Sequence, residues 1–262
     1  MMKIENVKHN DKKLVFTLEG TNNAFVNSIR RAGMAEVPTM AIEDVAFTKN
    51  SSVLYDEMIA LRLGLVPLST DLKTYNLPSQ CKCNGKGCSS CQLKLTLNAK
   101  GPKTVYSGDL VSKDPKVKPV FEDIPIVKLT ENHELKLTAT AVLGLGKEHT
   151  KWSTGLIIFQ NYPELKIESG KHKHAHEIVS ACASGVLEVK DDSIKVKDLE
   201  KCNLCKACEE VLGKDSPIKV SSIPDKFIVT VESWGQLTPK EILLESTNAL
   251  TEKLKEFQKA IK

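Results

Sequence analysis

The chain has 262 residues, of which 41% are hydrophobic and 27% charged, and its formal net charge at pH 7 is +4. So small a charge gives no sign of a polyanion-binding surface, and no apolar run approaches the ~20 residues of a membrane span. Residues 1–13 lack the apolar stretch of a signal peptide, so we expect a cytoplasmic protein. Eight cysteines in an unsecreted chain favour metal binding over disulfides.

Alternating and helical apolar patterns predict the elements in chain order. Residues 3–8 and 13–18 are typical of a β-hairpin. Thr21 is then predicted to cap a helix that ends before Pro38. The elements predicted after it are a strand at 40–48, a short helix from Asp56 that stops at Pro67, strands at 93–97, 135–142 and 156–159, and loops with edge strands over 100–128.

The C-terminal segment carries the longest predicted helix. Thr238 is a favourable N-cap, Pro239 is a favourable first helical residue, and no Gly or Pro interrupts the pattern from there to Lys262. Such a helix would be ~36 Å long, which a small domain does not easily cover. We therefore expect one face to pack on its own sheet and another to bind a partner. The apolar stripe consists of Ile242, Leu243, Ala249, Leu250, Leu254, Phe257 and Ile261.

A cysteine motif precedes this helix. Cys202, Cys205 and Cys208 follow a C-x2-C-x2-C pattern, and Cys182 lies upstream. In ferredoxins, three cysteines at this spacing bind one cluster and a fourth, more distant cysteine completes the ligand set. We predict one iron–sulfur cluster on these four thiolates, with 4Fe–4S favoured, or 3Fe–4S if Cys182 is not a ligand. A tetrahedral zinc site is the alternative, although thiolates are rarely so crowded around zinc.

The second ligand set of a two-cluster ferredoxin is missing. When Cys182 is taken as the fourth cysteine of that set, His172, Ala175 and Ile178 stand at its other positions, and Leu212 ends the remaining run. An electron carrier would need two clusters, or one near its surface. We therefore expect a structural or sensing cluster, and the alternative is a ferredoxin-type electron-transfer subunit of an oxidoreductase.

A second group of cysteines lies in the sequence CKCNGKGCSSC, where Asn84 and Gly85 predict a tight turn between two pairs. The four thiols are Cys81, Cys83, Cys88 and Cys91. Four thiolates in so short a loop match a closed structural zinc site. The alternatives are an emptied site or a disulfide between Cys88 and Cys91. The few lysines nearby do not indicate a zinc-dependent nucleic-acid-binding module.

No local motif indicates catalysis. Residues 144–147 read GLGK, but Ala141 and Glu148 stand where a phosphate-binding loop needs Gly and Ser or Thr. Neither a nucleophile–base arrangement nor an acidic magnesium motif stands out. We therefore expect a non-catalytic chain.

Three segments together resemble one protein family. They are NAFVNSIRRAGMAEVPTMAIEDV, ending at Val45, LYDEMIALRLGLVPL at 54–68, and GLGKEH at 144–149. They resemble the D-subunit family of archaeal DNA-directed RNA polymerase, whose relatives are the third-largest subunit of eukaryotic RNA polymerase II and the N-terminal domain of bacterial alpha. The resemblance covers nearly the whole chain. It implies a non-catalytic assembly-platform subunit of DNA-dependent RNA polymerase.

The resemblance implies an α+β fold in three parts. A discontinuous α/β dimerisation domain would comprise residues 1–38, 155–165 and 224–262. A mostly-β domain, residues 39–154, would be inserted into it and would carry the shorter cysteine loop. Residues 165–223 would form a ferredoxin-like iron–sulfur domain.

The resemblance also implies the partners. The chain would pair with the small subunit L through its first and last long helices. That heterodimer, with the small subunits N and P, would gather the large catalytic subunits without touching DNA directly. The residues that match the family's motifs, which hold the fold or contact a large subunit, are Asn27, Arg30, Arg31, Asp56, Glu57 and Arg62. The expected partner-binding residues are Phe25, Ile29, Arg30, Arg31, Leu243, Leu250, Leu254, Phe257 and Ile261.

Overall fold

A computed structural model describes residues 2–261, which form the predicted mixture of helices and strands. The strands, β1 to β12, are Lys3–His9, Lys13–Glu19, Pro38–Asn50, Gln92–Lys100, Lys103–Tyr106, Val111–Ser112, Pro125–Leu129, Glu134–Leu145, Gly155–Ile167, Leu187–Lys190, Ser193–Val196 and Ile218–Ser233. The helices, α1 to α5, are Asn23–Ala35, Asp56–Gly64, Ala175–Ser180, Ala207–Glu210 and Pro239–Ile261. No helix within 2–261 is both long and apolar enough to cross a membrane.

The chain divides into two compact units. The first consists of the residues up to His9, Val15–Asn27 and Ile158–Thr230. The second consists of Asn10–Leu14, Ser28–Ile157 and the residues from Val231 onward. Each unit is therefore assembled from separate stretches of sequence.

The first unit contains most of a four-stranded sheet and a small apolar core. The sheet has the strand order β1-β2-β12-β9, and β10 and β11 form a separate antiparallel pair in which Leu187 lies opposite Val196. Two cysteines, Cys202 and Cys208, belong to the core itself. The buried core residues are Ala175, Ile178, Val186, Leu187, Ile194, Cys202, Cys208, Ile218 and Val220.

The second unit is built on a sheet with the strand order β3-β8-β4-β6. The central strand β8 pairs antiparallel with β3 and with β4. Buried residues alternate with exposed ones along β4 and with half-buried ones along β8, so the buried side chains share one face of the sheet. Ile59 and Leu63 of α2 pack with that face in one large core. The loop with the four clustered cysteines connects α2 to β4.

The starts of α1 and α5 show how local sequence sets a helix end. The predicted cap Thr21 is wrong, because the Oδ1 of its neighbour Asn22 accepts the N–H of Phe25 at 3.0 Å. The predicted cap of α5 is confirmed. The N–H of Glu241 donates to Thr238 Oγ1 at 3.3 Å, and the N–H of Thr238 donates to Glu241 Oε2 at 2.9 Å, a reciprocal capping box.

Candidate metal centres and partner surfaces

The loop between α2 and β4 brings the sulfurs of Cys81, Cys83, Cys88 and Cys91 within 4.8 Å of one another. The closest pairs are 3.5 Å apart. Thiolates about 2.3 Å from a tetrahedral ion lie about 3.8 Å from each other, so this spacing suits a single metal ion. A disulfide would need about 2.05 Å, and all eight cysteines within residues 2–261 are free.

Backbone geometry explains why this loop closes so tightly. Asn84, Gly85 and Gly87 have φ angles of 51°, 75° and 87°, in the left-handed region that Gly and Asn tolerate best. The N–H of Asn84 donates to the Cys81 carbonyl at 2.9 Å, which forms the predicted turn. A side chain at Gly87 would meet Gln92 Oε1 at 2.6 Å. The loop therefore depends on small residues to bring its sulfurs together.

The thiols of this loop differ in pKa. Hydrogen bonding with the thiols of Cys81 and Cys91 lowers the pKa of Cys83 to about 6. Burial raises the pKa of Cys91 to about 12. Because the thiolate is the form that binds metal, this lowered pKa favours metal binding at Cys83. The N–H of Cys88 also donates to Cys91 Sγ at 3.3 Å, which favours the charged form of that buried sulfur.

The other four cysteines line one cavity in the first unit. The structure therefore brings together, around one cavity, the residues that the spacing indicated. These cysteines are Cys182, Cys202, Cys205 and Cys208, and the apolar part of the wall comes from Leu165, Val186, Leu187 and Val220.

The C-x2-C-x2-C segment has an unusual backbone. Leu204 and Lys206 have φ angles of 60° and 61°, which non-glycine residues rarely adopt. Such strain is concentrated at ligand-binding sites, where the surroundings hold it in place. The N–H of Val186 donates to Cys182 Sγ at 3.4 Å. Burial, together with the nearby sulfurs of the other three cysteines, raises the pKa of Cys208.

The positions of the missing second ligand set have become apolar core. Ala175 and Ile178 are buried in the core of the first unit, and Leu212 packs against it. His172 Nε2 lies 2.9 Å from the carbonyl oxygen of Glu168. Within residues 2–261, side-chain packing thus occupies the place where a second cluster would need thiolates.

Helix α5 packs against the chain's own core with one face of its first half, and its role in binding a partner stays a prediction. Ile242 and Ser246 in its first half are buried. Every residue from Thr251 to Ile261 is exposed, and the side chains Leu254, Phe257 and Ile261 are 65–68% exposed. The two remaining residues expected to bind a partner on this helix, Leu243 and Leu250, are half-buried.

The residues expected to bind a partner on α1 are partly accessible. Phe25 is 40% exposed and Arg31 is exposed. Ile29 and Arg30 are half-buried, and Arg30 Nη1 donates to Met34 Sδ at 3.7 Å. Their role in binding stays a prediction.

An exposed apolar surface at α2 was not predicted from the sequence. The motif residues around it hold the fold: Asn50 Nδ2 donates to Asp56 Oδ1 at 2.7 Å, and Arg62 Nη2 donates to the Pro125 carbonyl at 2.6 Å. The apolar residues of α2 lie on all sides of the helix. This pattern is typical of a helix that is covered on more than one face. The side chains of this surface, each at least 48% exposed, are Val53, Tyr55, Met58, Leu61 and Leu65.

The second unit identifies the class of protein. Residues 45–159 match the family described as "RNA polymerase Rpb3/RpoA insert domain". That range includes the cysteine loop and the strands β4 to β8. The match therefore indicates a subunit of RNA polymerase that contains this insert domain.

Relatives extend the similarity to the whole chain. DNA-directed RNA polymerase subunit Rpo3 of Methanosphaera stadtmanae is 41% identical over 96% of this chain and 96% of its own. The proteins of the same name from Methanosarcina acetivorans and Archaeoglobus fulgidus are 39% and 37% identical, over 98% and 100% of this chain and 97% and 98% of their own. The chain therefore belongs to the archaeal Rpo3 family of DNA-directed RNA polymerase subunits. The resemblance to an archaeal RNA polymerase subunit of the Rpb3/RpoA type is thereby confirmed.

Proposed function

We propose that this chain is a non-catalytic assembly platform of an archaeal DNA-dependent RNA polymerase in the cytoplasm. It would pair with the small subunit L, and that heterodimer, with the small subunits N and P, would gather the large catalytic subunits. The observation that carries the proposal is the exposed second half of α5 in a chain whose relatives are RNA polymerase subunits. Apolar side chains with no place in the chain's own core indicate a surface that a partner covers.

The spacing of these side chains suits a helical partner. We call the row Leu243, Leu250, Leu254, Phe257 and Ile261 the α5 seam. Its last four residues are separated by four, three and four positions, the repeat that keeps one apolar line facing a neighbouring helix. A helix of subunit L with a similar apolar line would bury the seam. Phe25 and Ile29 of α1 would add to the same heterodimer interface.

A second contact would involve a large catalytic subunit. The apolar surface at α2 lies in the insert domain, and α5 lies outside that domain. Asp56 and Arg62 already form hydrogen bonds within the chain. We assign this surface, rather than the charged motif residues, to the large subunit. The chain would thus supply surfaces and no catalytic group, and it would not contact DNA directly.

The domain organisation follows from these contacts. Residues 1–38, 155–165 and 224–262 would form the dimerisation domain, because both helices assigned to the L interface lie in them. Residues 39–154 would present the α2 surface. Residues 165–223 would form the ferredoxin-like domain, supported by the small separate core around Ile178 and Cys208.

Two metal groups would brace the fold. The cavity lined by Cys182, Cys202, Cys205 and Cys208 would hold one iron–sulfur cluster, because these four cysteines surround one space beside an apolar wall. A cluster supplies a cross-link between four points of the chain and, in other proteins, an electron site. The Cys81–Cys91 loop fits zinc, since its sulfur spacing is that of a tetrahedral site. Both groups would stabilise the chain by tying segments together.

The proposal is tested by measuring binding to subunit L after changes in the α5 seam. The double variant Leu254→Asp with Phe257→Asp should weaken the heterodimer about a hundredfold or more, because each buried anchor of an interface contributes strongly. The matched control is Lys255→Gln with Lys259→Gln, which changes the net charge equally on the opposite side of the helix. If the seam variant binds subunit L as tightly as the control, the interface assignment is wrong.

A further inference from the structure

One carboxylate joins three parts of the second unit. Glu36 lies just after the end of α1, and its side chain is 17% exposed. Its Oε1 accepts a hydrogen bond from Lys253 Nζ of α5, and its Oε2 accepts one from Lys147 Nζ at 3.2 Å. Lys147 is itself held by its N–H, which donates to the Ala35 carbonyl at 3.1 Å. Glu36 therefore links α1, the segment after β8, and α5.

A second contact between α1 and α5 lies nearer the start of α5. A methyl group on Gly33 would be 2.7 Å from Ser246 Oγ and 3.6 Å from Ile242 Cγ2, so the two helices approach closely here. Seven residues separate Ser246 from Lys253, which corresponds to ~10 Å along the helix axis. Two contacts this far apart define the direction of a helix, whereas one contact would leave it able to swing.

The contact at Glu36 lies within the half of α5 that is otherwise exposed. Every residue from Thr251 to Ile261 is exposed, and the ion pair of Lys253 with Glu36 ties that stretch to the body of the second unit. The neighbouring ion pair of Glu252 with Lys255 lies within the helix itself and cannot orient it. Together with the buried residues of the first half, Glu36 therefore helps to set the direction of the seam.

We propose that Glu36 is a positioning residue for partner binding: by holding Lys253, it fixes the direction in which the exposed half of α5 presents the seam. This inference rests on the proposed function and adds a role for a residue outside the interface. A partner helix that needs the seam in one direction binds in proportion to the fraction of molecules that already have it. Preorganisation of this kind raises affinity without adding a contact.

The test measures two quantities on the intact chain: the dissociation constant for subunit L, and the amide hydrogen exchange of residues 251–261 in the unbound chain. Glu36→Gln and Lys253→Met should each weaken binding about two- to fivefold, the range expected when a partly exposed ion pair is lost. Both should also speed exchange in 251–261. The double variant should be no worse than Glu36→Gln alone, because Glu36→Gln already removes the link to Lys253.

The matched control is Lys255→Met, which removes the ion pair within the helix; it should leave the affinity unchanged and speed exchange only slightly. If Glu36→Gln and Lys253→Met leave affinity and exchange at control values, Glu36 has no positioning role. Lys253 is exposed, so its variant remains informative even if Glu36→Gln unfolds. The seam variant separates the two claims: a seam change that weakens binding while Glu36 and Lys253 changes do not would overturn this inference and leave the proposed function standing.

Discussion

Gly33 of α1 and Ser246 of α5 meet so closely that a methyl group on Gly33 would lie 2.7 Å from Ser246 Oγ, and it would also lie 2.3 Å from Ile157 Cδ1. Ser246 is fully buried, and its hydroxyl donates to the Ile242 carbonyl at 2.5 Å. A shift of the serine side chain away from Gly33 would break this hydrogen bond. The pairing of α1 with α5, on which the proposed interface depends, requires glycine here.

Gly33→Ala should destabilise the second unit by ~1–3 kcal/mol, the usual effect of overpacking a close contact. The matched control is Gly64→Ala, also a helical glycine, where the added methyl would be 3.5 Å from the Ile42 carbonyl, an ordinary contact. That control should be neutral or slightly stabilising, since alanine favours a helix over glycine. Urea unfolding measures both. Equal stability of the two variants would contradict the close helix crossing.

Metal analysis should separate the two cysteine sets. Anaerobically purified protein should contain about one zinc and, for the favoured 4Fe–4S cluster, about four irons with matching sulfide. Cys83→Ser should lose zinc and keep iron, because its sulfur belongs to the shorter loop. Cys205→Ser should lose iron and keep zinc. A variant that lost both metals, or a protein whose iron was unaffected by Cys205→Ser, would show that the sites are assigned wrongly.

Loss of the cluster should loosen one unit only. Cys205 is exposed, so its replacement by Ser removes a ligand without removing core packing. Hydrogen exchange in residues 165–223 should become faster, because that small core would lose its cross-link, whereas exchange in β4 and β8 should be unchanged. Lys195→Ser, an exposed change in the same unit, is the control. Faster exchange throughout the chain would contradict the independence of the two cores.

The ion pairs of Glu134 predict a pH dependence. Hydrogen bonds from Lys136 and Lys49 lower the pKa of Glu134 to about 2, from an ordinary value of 4.5. A group with a lowered pKa contributes stability above its unfolded pKa and loses it as the pH falls toward the folded value. Glu134→Gln should therefore be less stable than the native chain at pH 7, with a difference that shrinks between about pH 4.5 and 2.

The control for that series is Glu131→Gln, an exposed carboxylate nearby with no ion pair among residues 2–261. It should follow the native chain at every pH. Denaturant midpoints between pH 7 and 3 provide the measurement. A Glu134→Gln difference that stays constant across this range would show that the ion pairs do not set its pKa.

The sequence predicts those features of the fold that depend on neighbouring residues. The capping box of Thr238 with Glu241 is encoded within four positions, and the turn at Asn84 is encoded by its own backbone preference. The cysteine sets follow from spacing for the same reason. The error at Thr21 is of this local kind too, because Thr21 and Asn22 are both good caps and only the helix register selects one.

The remaining features depend on contacts between distant parts of the chain. Glu36 and Lys253 are 217 positions apart, so no local pattern can pair them. Periodicity identified the apolar stripe on α5 but could not show that Ile242 is buried while Phe257 is exposed. The same pattern arises whether a stripe packs on the chain's own core or on a partner. The sequence did not reveal the α2 surface, because apolar residues in a short helix are equally typical of a buried core.

The proposed platform role is tested most directly by measuring the mass of the complex that the polymerase subunits form. Subunit L and the large catalytic subunits are mixed with and without the intact chain. We predict that the large subunits join only when this chain and L are both present, and that the Leu254→Asp, Phe257→Asp variant prevents it. Assembly of the same large complex in the absence of this chain would contradict the platform role.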